Sequence, residues 1–157
     1  MKNIFFYQTD IGEVAIAADE RAVTNVYLKR SEISADAVVR ETGLISEAAR
    51  QLQDYLKGGL KHFDLPLAPV GSEFMQQVWG GLLAIPYGET RSYKELAEFI
   101  GKPRAFRAVG QANHRNPIPI FIPCHRVIGA DGKLTGYGGG LPLKAWLLDL
   151  ERQYHSS

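Results

Sequence analysis

Apolar and polar positions in the first thirty residues form short runs that turn-forming residues separate. Residues 4–7, 14–17 and 23–28 are rich in β-branched and aromatic side chains, and the breaks between them contain Gly12 and Asp19. Short runs of this composition, bounded by glycine and aspartate, are typical of β-strands. The pattern predicts two or three antiparallel strands.

A helical period follows the strands. Residues 45–56 place apolar side chains on one side, and Gly58 follows as a stop. Strands and helix together predict a small α+β lobe over residues 1–65. Two prolines and a glycine then predict a linker over residues 66–71, which leaves residues 72–157 as a second domain.

The second domain begins with two helix signals. Ser72 is placed to cap a helix in which apolar residues recur every four positions until Pro86. Ser92 and Glu95 then have capping-box spacing ahead of a short helix that Gly101 ends. Apolar residues on its predicted buried face are Leu96, Phe99 and Ile100.

A further helix is predicted shortly after Pro103, with small and apolar residues on one face and Arg104, Arg107 and Gln111 on the other. Two short helices joined by a tight turn predict a helix-turn-helix over residues 92–113. An ordinary helical hairpin with a solvated basic face fits the same spacing. A last helix follows Pro142, with its apolar stripe at Leu143, Trp146, Leu147 and Leu150.

Composition limits the classes of protein that fit. The chain has 157 residues, 45% of them hydrophobic, which is enough for a real core. No apolar run is long enough to cross a bilayer, and the start lacks the features of a signal peptide, so we expect a cytoplasmic protein without a membrane partner. A single cysteine excludes an internal disulfide framework and a cysteine-based zinc site.

Charge is distributed unevenly along the chain. The net charge is only +1, which argues against electrostatic coating of nucleic acid. Basic residues nevertheless gather between Arg91 and Arg126, while acidic residues gather mainly in the first half. This asymmetry predicts a scaffold half and a half that faces a partner, although a solvated helix face also explains a few arginines.

Cys124 is the residue whose context matters most. Free cysteines are usually buried and inert, but this one follows the apolar run "IPIFIP" and precedes His125 and Arg126. We expect the run to form a buried strand that Pro123 ends at the thiol. A nucleophilic cysteine needs a base or a positive charge nearby, and both neighbours supply one. Adjacent residues on an extended chain point apart, so contact with His125 needs a turn or a bridging water.

The sequence "PCHRVIG", preceded by "RAVGQANHRNPIPIFI" and followed by "GYGGGLPLKAWLLDLE", resembles the O6-alkylguanine-DNA alkyltransferases. Nearly all of residues 74–151 match, whereas the amino-terminal lobe matches in coarse pattern only. The resemblance implies an α+β protein with a ribonuclease-H-like N-terminal lobe and a helical, winged-helix-like C-terminal DNA-binding lobe.

The resemblance also implies a reaction. Cys124 is expected to take an alkyl group from O6 of guanine, or less well from O4 of thymine, in double-stranded DNA, and each molecule is expected to act once. His125 activates Cys124 through water and Glu151 orients the imidazole, although a solvated helix end is the ordinary role for such a glutamate. No cofactor and no metal are expected, and the protein is expected to be a monomer free in solution.

Further roles are carried over position by position. The resemblance implies that Tyr93 helps rotate the damaged nucleotide and that Arg107 fills the space it leaves, while the second helix of the motif enters the minor groove. The remaining matched residues are Ala105, Ala108, Gly110 and Arg126 for DNA contact, Asn116 for joining the helix to the reactive segment, and Tyr137 and Gly138 for the loop over the base.

Several departures and alternatives bear on this reading. Phe106 and Gln111 are bulkier than the residues common in the family at those positions, and a cysteine-rich zinc domain is absent. Cys124 stands where alkyltransferase-like proteins, which bind damage without repairing it, have tryptophan. Two other functions fit parts of the sequence: a winged-helix binding module that recruits repair factors, and a thiol hydrolase using Cys124, His125 and Asn116.

Overall fold

The computed structural model of the protein describes residues 2–156, which form two compact units. The first unit runs to Val70 and also takes in Pro117–Phe121, and the second comprises Gly71–Asn116 and the residues from Ile122 onward. Each unit has its own buried apolar side chains.

Two contacts explain why Pro117–Phe121 belongs to the first unit. The Val26 N–H donates to the Pro117 carbonyl at 2.9 Å, and the Phe121 ring meets the edge of Phe63 with centroids 4.5 Å apart. The prediction that residues 72–157 form one domain is wrong for this segment, because nothing local to it signals these distant partners.

The first unit is built on a four-stranded sheet in the order β3-β2-β1-β4. Its strands are β1 (Asn3–Thr9), β2 (Gly12–Ala18), β3 (Val23–Tyr27) and β4 (Val38–Val39). The first three are antiparallel, as predicted, whereas β4 runs parallel to β1 and was not predicted. A two-residue edge strand with both side chains exposed leaves no periodic signal in the sequence.

Helix α1 (Gly43–Leu56) packs against this sheet. The Thr42 hydroxyl caps it by accepting from the Ile45 N–H. Its buried face includes Ile45, Leu52 and Tyr55, all at most 1% exposed. The α+β class predicted for this half of the chain is confirmed by these elements and by the comparisons described below.

The second unit is mainly helical. It contains α2 (Glu73–Leu83), α3 (Tyr93–Phe99), α4 (Phe106–His114) and α5 (Leu141–Tyr154), with short strands β5 (Arg91–Ser92) and β6 (Val127–Ile128) paired in parallel. No helix within residues 2–156 is long and apolar enough to cross a membrane.

The predicted start signals of α2 and α3 are confirmed. The Ser72 hydroxyl accepts from Met75 N–H, and Ser92 with Glu95 forms a complete capping box. Gly101 ends the second of these segments with φ +79°, a conformation that favours glycine. Phe99, however, is 68% exposed rather than buried beside Leu96.

The buried face of helix α5 agrees with the predicted one only in part, at Leu147 and Leu150. Lys144, Leu147, Leu148 and Glu151 lie at i, i+3, i+4 and i+7 and are buried, whereas Trp146 is 39% exposed. Leu150, from the predicted stripe, is also buried. The observed buried face includes two charged residues, Lys144 and Glu151, so the spacing of apolar residues alone could not define it.

Candidate active site

A tight turn, not a strand, presents Cys124. Pro123 has φ −81° and ψ 65°, and the Cys124 N–H donates to the Ile122 carbonyl at 2.8 Å, which is the geometry of an inverse γ-turn. Cys124 then begins a 3₁₀ helix that ends at Arg126. The prediction that the apolar run before Cys124 forms a strand is therefore wrong: its prolines and turns prevent a continuous ladder.

The Cys124 thiol is buried, at 5% exposure. Burial raises the pKa of this thiol to about 11, although a hydrogen bond from the Asn116 side chain and the charge of Lys144 both act in the opposite direction. The neutral thiol is thus the resting form, and a proton must leave it before it can act as a nucleophile.

His125 and Glu151 form a buried pair. Nε2 of His125 lies 2.7 Å from Oε2 of Glu151, and the side chains are 0% and 1% exposed. Burial lowers the pKa of His125, and Glu151 only partly opposes this, so the imidazole is neutral near pH 7. With Nε2–H donating to the carboxylate, Nδ1 carries the lone pair that can accept a proton.

Glu151 is held by more than the histidine. Its carboxylate accepts from Arg126 Nε at 2.8 Å, from Arg126 Nη2 at 3.0 Å and from the Gly88 N–H at 3.0 Å. Burial raises the pKa of Glu151, but the hydrogen bond from His125 and the hydrogen bonds and positive charge of Arg126 outweigh it and lower the pKa to about 2. The carboxylate is therefore ionised and fixed, not a solvated helix end.

Arg126 differs from its predicted role. The resemblance implies that it contacts DNA, but its side chain is 8% exposed and its Nη1 donates to the Ile85 carbonyl at 2.7 Å. All of these contacts lie inside the second unit, so the guanidinium serves to anchor Glu151 instead of reaching outward.

Lys144 is a site residue that the sequence analysis missed. It is 0% exposed, and its Nζ donates to the Val127 carbonyl at 2.5 Å and to the Thr135 carbonyl at 3.0 Å. A buried ammonium close enough to act electrostatically on Cys124 favours the thiolate. Its i, i+3, i+4, i+7 spacing with Leu147, Leu148 and Glu151 was the signal that could have found it.

The loop before α5 is tied to the helical part of the unit. The Tyr93 hydroxyl, at the start of α3, lies 2.5 Å from the Thr135 hydroxyl. Tyr137 is buried, and burial raises the pKa of its phenol well above the usual value, with Cys124 adding to the effect. Gly138 has open space where a Cβ would stand.

An open groove of about 680 Å³ runs along α4. It is lined by Tyr93, Arg107, Gly110, Gln111, His114, Arg115 and Gly136. Ala108 is exposed on the same helix, Ala105 precedes it, and Phe106 is 44% exposed with the Arg107 guanidinium 5.9 Å from its ring centre. Within residues 2–156, no group of three or more acidic, histidine or cysteine side chains is arranged to hold a metal ion.

Family models match both halves of the chain. Residues 73–153 match the 6-O-methylguanine DNA methyltransferase DNA-binding domain, and residues 5–69 match the ribonuclease-like domain of the same enzymes. The chain belongs to this methyltransferase family. The resemblance seen in the sequence is thereby confirmed, together with the fold class of each half.

Individual methyltransferases agree closely with the chain. A methylated-DNA–protein-cysteine methyltransferase of Methanosarcina barkeri is 54% identical over 148 residues, covering 92% of this chain and 93% of its own length. The constitutive enzyme of Bacillus subtilis is 47% identical and covers 92% of each chain. The crystal structure of Mycobacterium tuberculosis OGT in complex with DNA superposes with a TM-score of 0.90 at 47% identity, covering 97% of this chain and 94% of that one.

Proposed function

We propose that the protein repairs DNA directly, by transferring an alkyl group from O6 of guanine to Cys124. The observation that carries this is the buried hydrogen bond between His125 Nε2 and Glu151 Oε2, which is 2.7 Å long. His125 directly follows Cys124, the only cysteine of the sequence. A nucleophile, a base and an orienting carboxylate are the parts that an activated thiol requires.

The proposed reaction is a single displacement. His125 takes the thiol proton through a water molecule, and the sulfur attacks the alkyl carbon attached to O6. The new S–C bond forms as the O6–C bond breaks. The electron pair of the broken bond stays on the nucleobase, which becomes normal guanine once it has taken up a proton. The product on Cys124 is a thioether, which is no leaving group, so each molecule reacts once.

DNA binding supports the same proposal. The pairing edge of guanine is inaccessible inside a duplex, so the nucleotide must rotate out of the stack at a cost of a few kcal/mol. Tyr93 and Arg107 line the groove along α4, which supports the proposal that they assist this rotation. The proposed substrate is double-stranded DNA carrying O6-alkylguanine or, less well, O4-alkylthymine, approached from the minor groove by a monomer.

The remaining assigned residues complete the proposed site. Asn116 joins the end of α4 to the reactive turn, since its Nδ2 donates to the Ile122 carbonyl at 2.8 Å. Ala105, Ala108 and Gly110 keep the helix surface shallow enough for a groove only ~6 Å wide. Tyr137 and Gly138 belong to the loop that closes over the base.

Intact-protein mass spectrometry tests the proposal. Incubation with a duplex containing O6-methylguanine is expected to raise the mass by one methylene, because a methyl group replaces the thiol hydrogen. Cys124→Ser is expected to bind the duplex as before and to gain no mass. An unchanged mass of the wild type would contradict the proposal and favour a binding module, and repeated turnover of a thioester would favour a thiol hydrolase.

A further inference from the structure

Side-chain amides from the end of α4 hold both ends of the turn that carries Cys124. Asn116 donates to the carbonyl of Ile122, which opens the γ-turn. Asn113, in the last turn of α4, donates from Nδ2 to the carbonyl of Cys124 itself at 3.4 Å. The two accepting carbonyls flank Pro123, so the turn is fixed on either side of a residue that has no N–H of its own.

Asn113 occupies a position where an apolar residue would be the ordinary choice. It is 3% exposed and shares the buried face of α4 with Val109 and Ala112. Its Oδ1 is buried and has no hydrogen-bond partner within residues 2–156. Burying an unpaired carbonyl oxygen costs free energy, so the amide at this position is explained by its donor, which binds the Cys124 carbonyl, and not by packing.

The helix that supplies this amide, α4, also lines the open groove of the protein described above. Arg107 and Gly110 lie on α4 and line the groove, and Asn113 follows on the buried side of the same helix. A Trp79 Nε1–H donates to the Ala112 carbonyl at 2.9 Å and fixes this end of the helix against α2. The backbone of the nucleophile is therefore linked to the groove-lining helix through one side chain, Asn113.

We propose that Asn113 is a positioning residue for alkyl transfer: it sets the orientation of the Cys124 backbone relative to α4. This inference rests on the proposed function, since it concerns the geometry of the same reaction. The Asn113 amide binds the backbone carbonyl of Cys124, and Asn113 is not among the residues that line the groove. Its loss slows the chemical step without weakening DNA binding, because in-line attack depends on the direction of the sulfur.

The test compares Asn113→Leu, which keeps the shape but removes the donor, with Gln51→Leu. Gln51 is a matched control: it is 5% exposed, lies in the first unit, and exchanges hydrogen bonds with the backbone of Asp64 at 3.1 and 2.9 Å. Single-turnover transfer from an O6-methylguanine duplex is measured at saturating protein, together with the melting temperature. The Kd for the duplex is measured in a Cys124→Ser background.

We expect Asn113→Leu to lower the maximal transfer rate by roughly 3- to 10-fold, the effect of one lost hydrogen bond, at an unchanged duplex Kd. Gln51→Leu is expected to have a lower melting temperature than the wild type but the same maximal transfer rate. If Asn113→Leu does not fold, Asn113→Ser, which shortens the side chain out of reach, replaces it.

Two results would overturn the inference while leaving the proposed function intact: a rate for the Asn113 variant that equals the wild-type rate, or a fall in rate that Gln51→Leu shows equally. A wild-type protein that transfers no alkyl group would instead overturn the proposed function, and the positioning role with it.

Discussion

Glu151 is the residue on which the buried polar groups of the site converge. Its carboxylate binds the His125 ring, the Arg126 guanidinium and the Gly88 N–H. A buried ion pair of this kind is costly to break from one side, because the partner keeps its charge and loses its counter-charge. Glu151 therefore contributes to folding and to the tautomer of His125 at once.

Replacing Glu151 by glutamine tests both contributions. Glu151→Gln is expected to lower the free energy of unfolding by about 3–5 kcal/mol, since Arg126 is left buried without its counter-charge. Transfer is expected to slow on the order of 10²-fold, because a neutral amide cannot stabilise the imidazolium that forms when His125 takes up the thiol proton. Urea unfolding and single-turnover kinetics measure the two effects.

Asp149→Asn, two positions away on α5, is the matched control. Asp149 pairs with Arg152 on the surface, where the side chains are 72% and 65% exposed. Exposed pairs are screened by solvent and contribute little, so this variant should unfold and react like the wild type. Equal losses in the two variants would contradict the role assigned to Glu151.

Lys144 leads to a prediction about pH. Its positive charge lowers the pKa of Cys124, which burial holds near 11, so Lys144→Met should raise that pKa further. The reactive thiolate would then form only at higher pH, and the rising limb of the rate against pH should move upward. The reaction with free O6-benzylguanine, followed from pH 6 to 10, measures the shift.

A lysine on the surface provides the comparison for this experiment. Lys57 is exposed at the end of α1, so Lys57→Met removes the same charge far from the reactive turn in sequence and in a different unit. Its rate profile should coincide with that of the wild type. A Lys144→Met profile that also coincides would show that the ammonium has no effect on the thiol.

The residues of the site differ in how far sequence could predict them. Cys124, His125 and Glu151 stand in a specific motif, and their neighbourhood was expected. Lys144 and the inward direction of Arg126 were not, because charged residues are almost always exposed and nothing local marks the exceptions. Their burial depends on carbonyls and a carboxylate that tertiary folding brings to them.

At the scale of the elements, helix caps were predicted well and helix faces less well. A cap is local chemistry, so Ser72 and the Ser92–Glu95 pair could be recognised from spacing alone. A buried face is set by what packs on it. Phe99 and Trp146 are therefore exposed although their spacing suggested otherwise.

Gly80 and Gly81, which are adjacent in α2, are predicted to change the free energy of unfolding in opposite directions when each is replaced by alanine. A Cβ on Gly80 would meet nothing within 4 Å, whereas one on Gly81 would stand 2.8 Å from Leu96 Cδ1 and 3.0 Å from Ile100 Cγ2. Gly80→Ala should raise the free energy of unfolding by about 0.5–1 kcal/mol through helix propensity. Gly81→Ala should lower it by about 1–3 kcal/mol through overpacking against α3.

Urea denaturation of the two variants under identical conditions measures this difference. Each glycine serves as the control for the other, since both substitutions add the same methyl group to neighbouring positions of one helix. If both variants gain stability, the close approach of α2 and α3 at Gly81 is not a constraint on the fold.

At the scale of the whole molecule, the division into an α+β part and a helical part could be predicted from the change in periodicity along the chain. The return of Pro117–Phe121 to the first unit could not. That return depends on a backbone hydrogen bond and a ring contact with residues that lie more than fifty positions earlier. Long-range pairing of this kind leaves no local pattern.

The burial of Cys124 also determines what the protein does not react with. Thiolates are the form that free electrophiles and oxidants attack, and a neutral thiol at 5% exposure offers them little. We therefore expect small alkylating agents in solution to react slowly with Cys124. Because each molecule is proposed to react once, slow side reactions of this kind would leave more of the protein able to repair alkylated DNA.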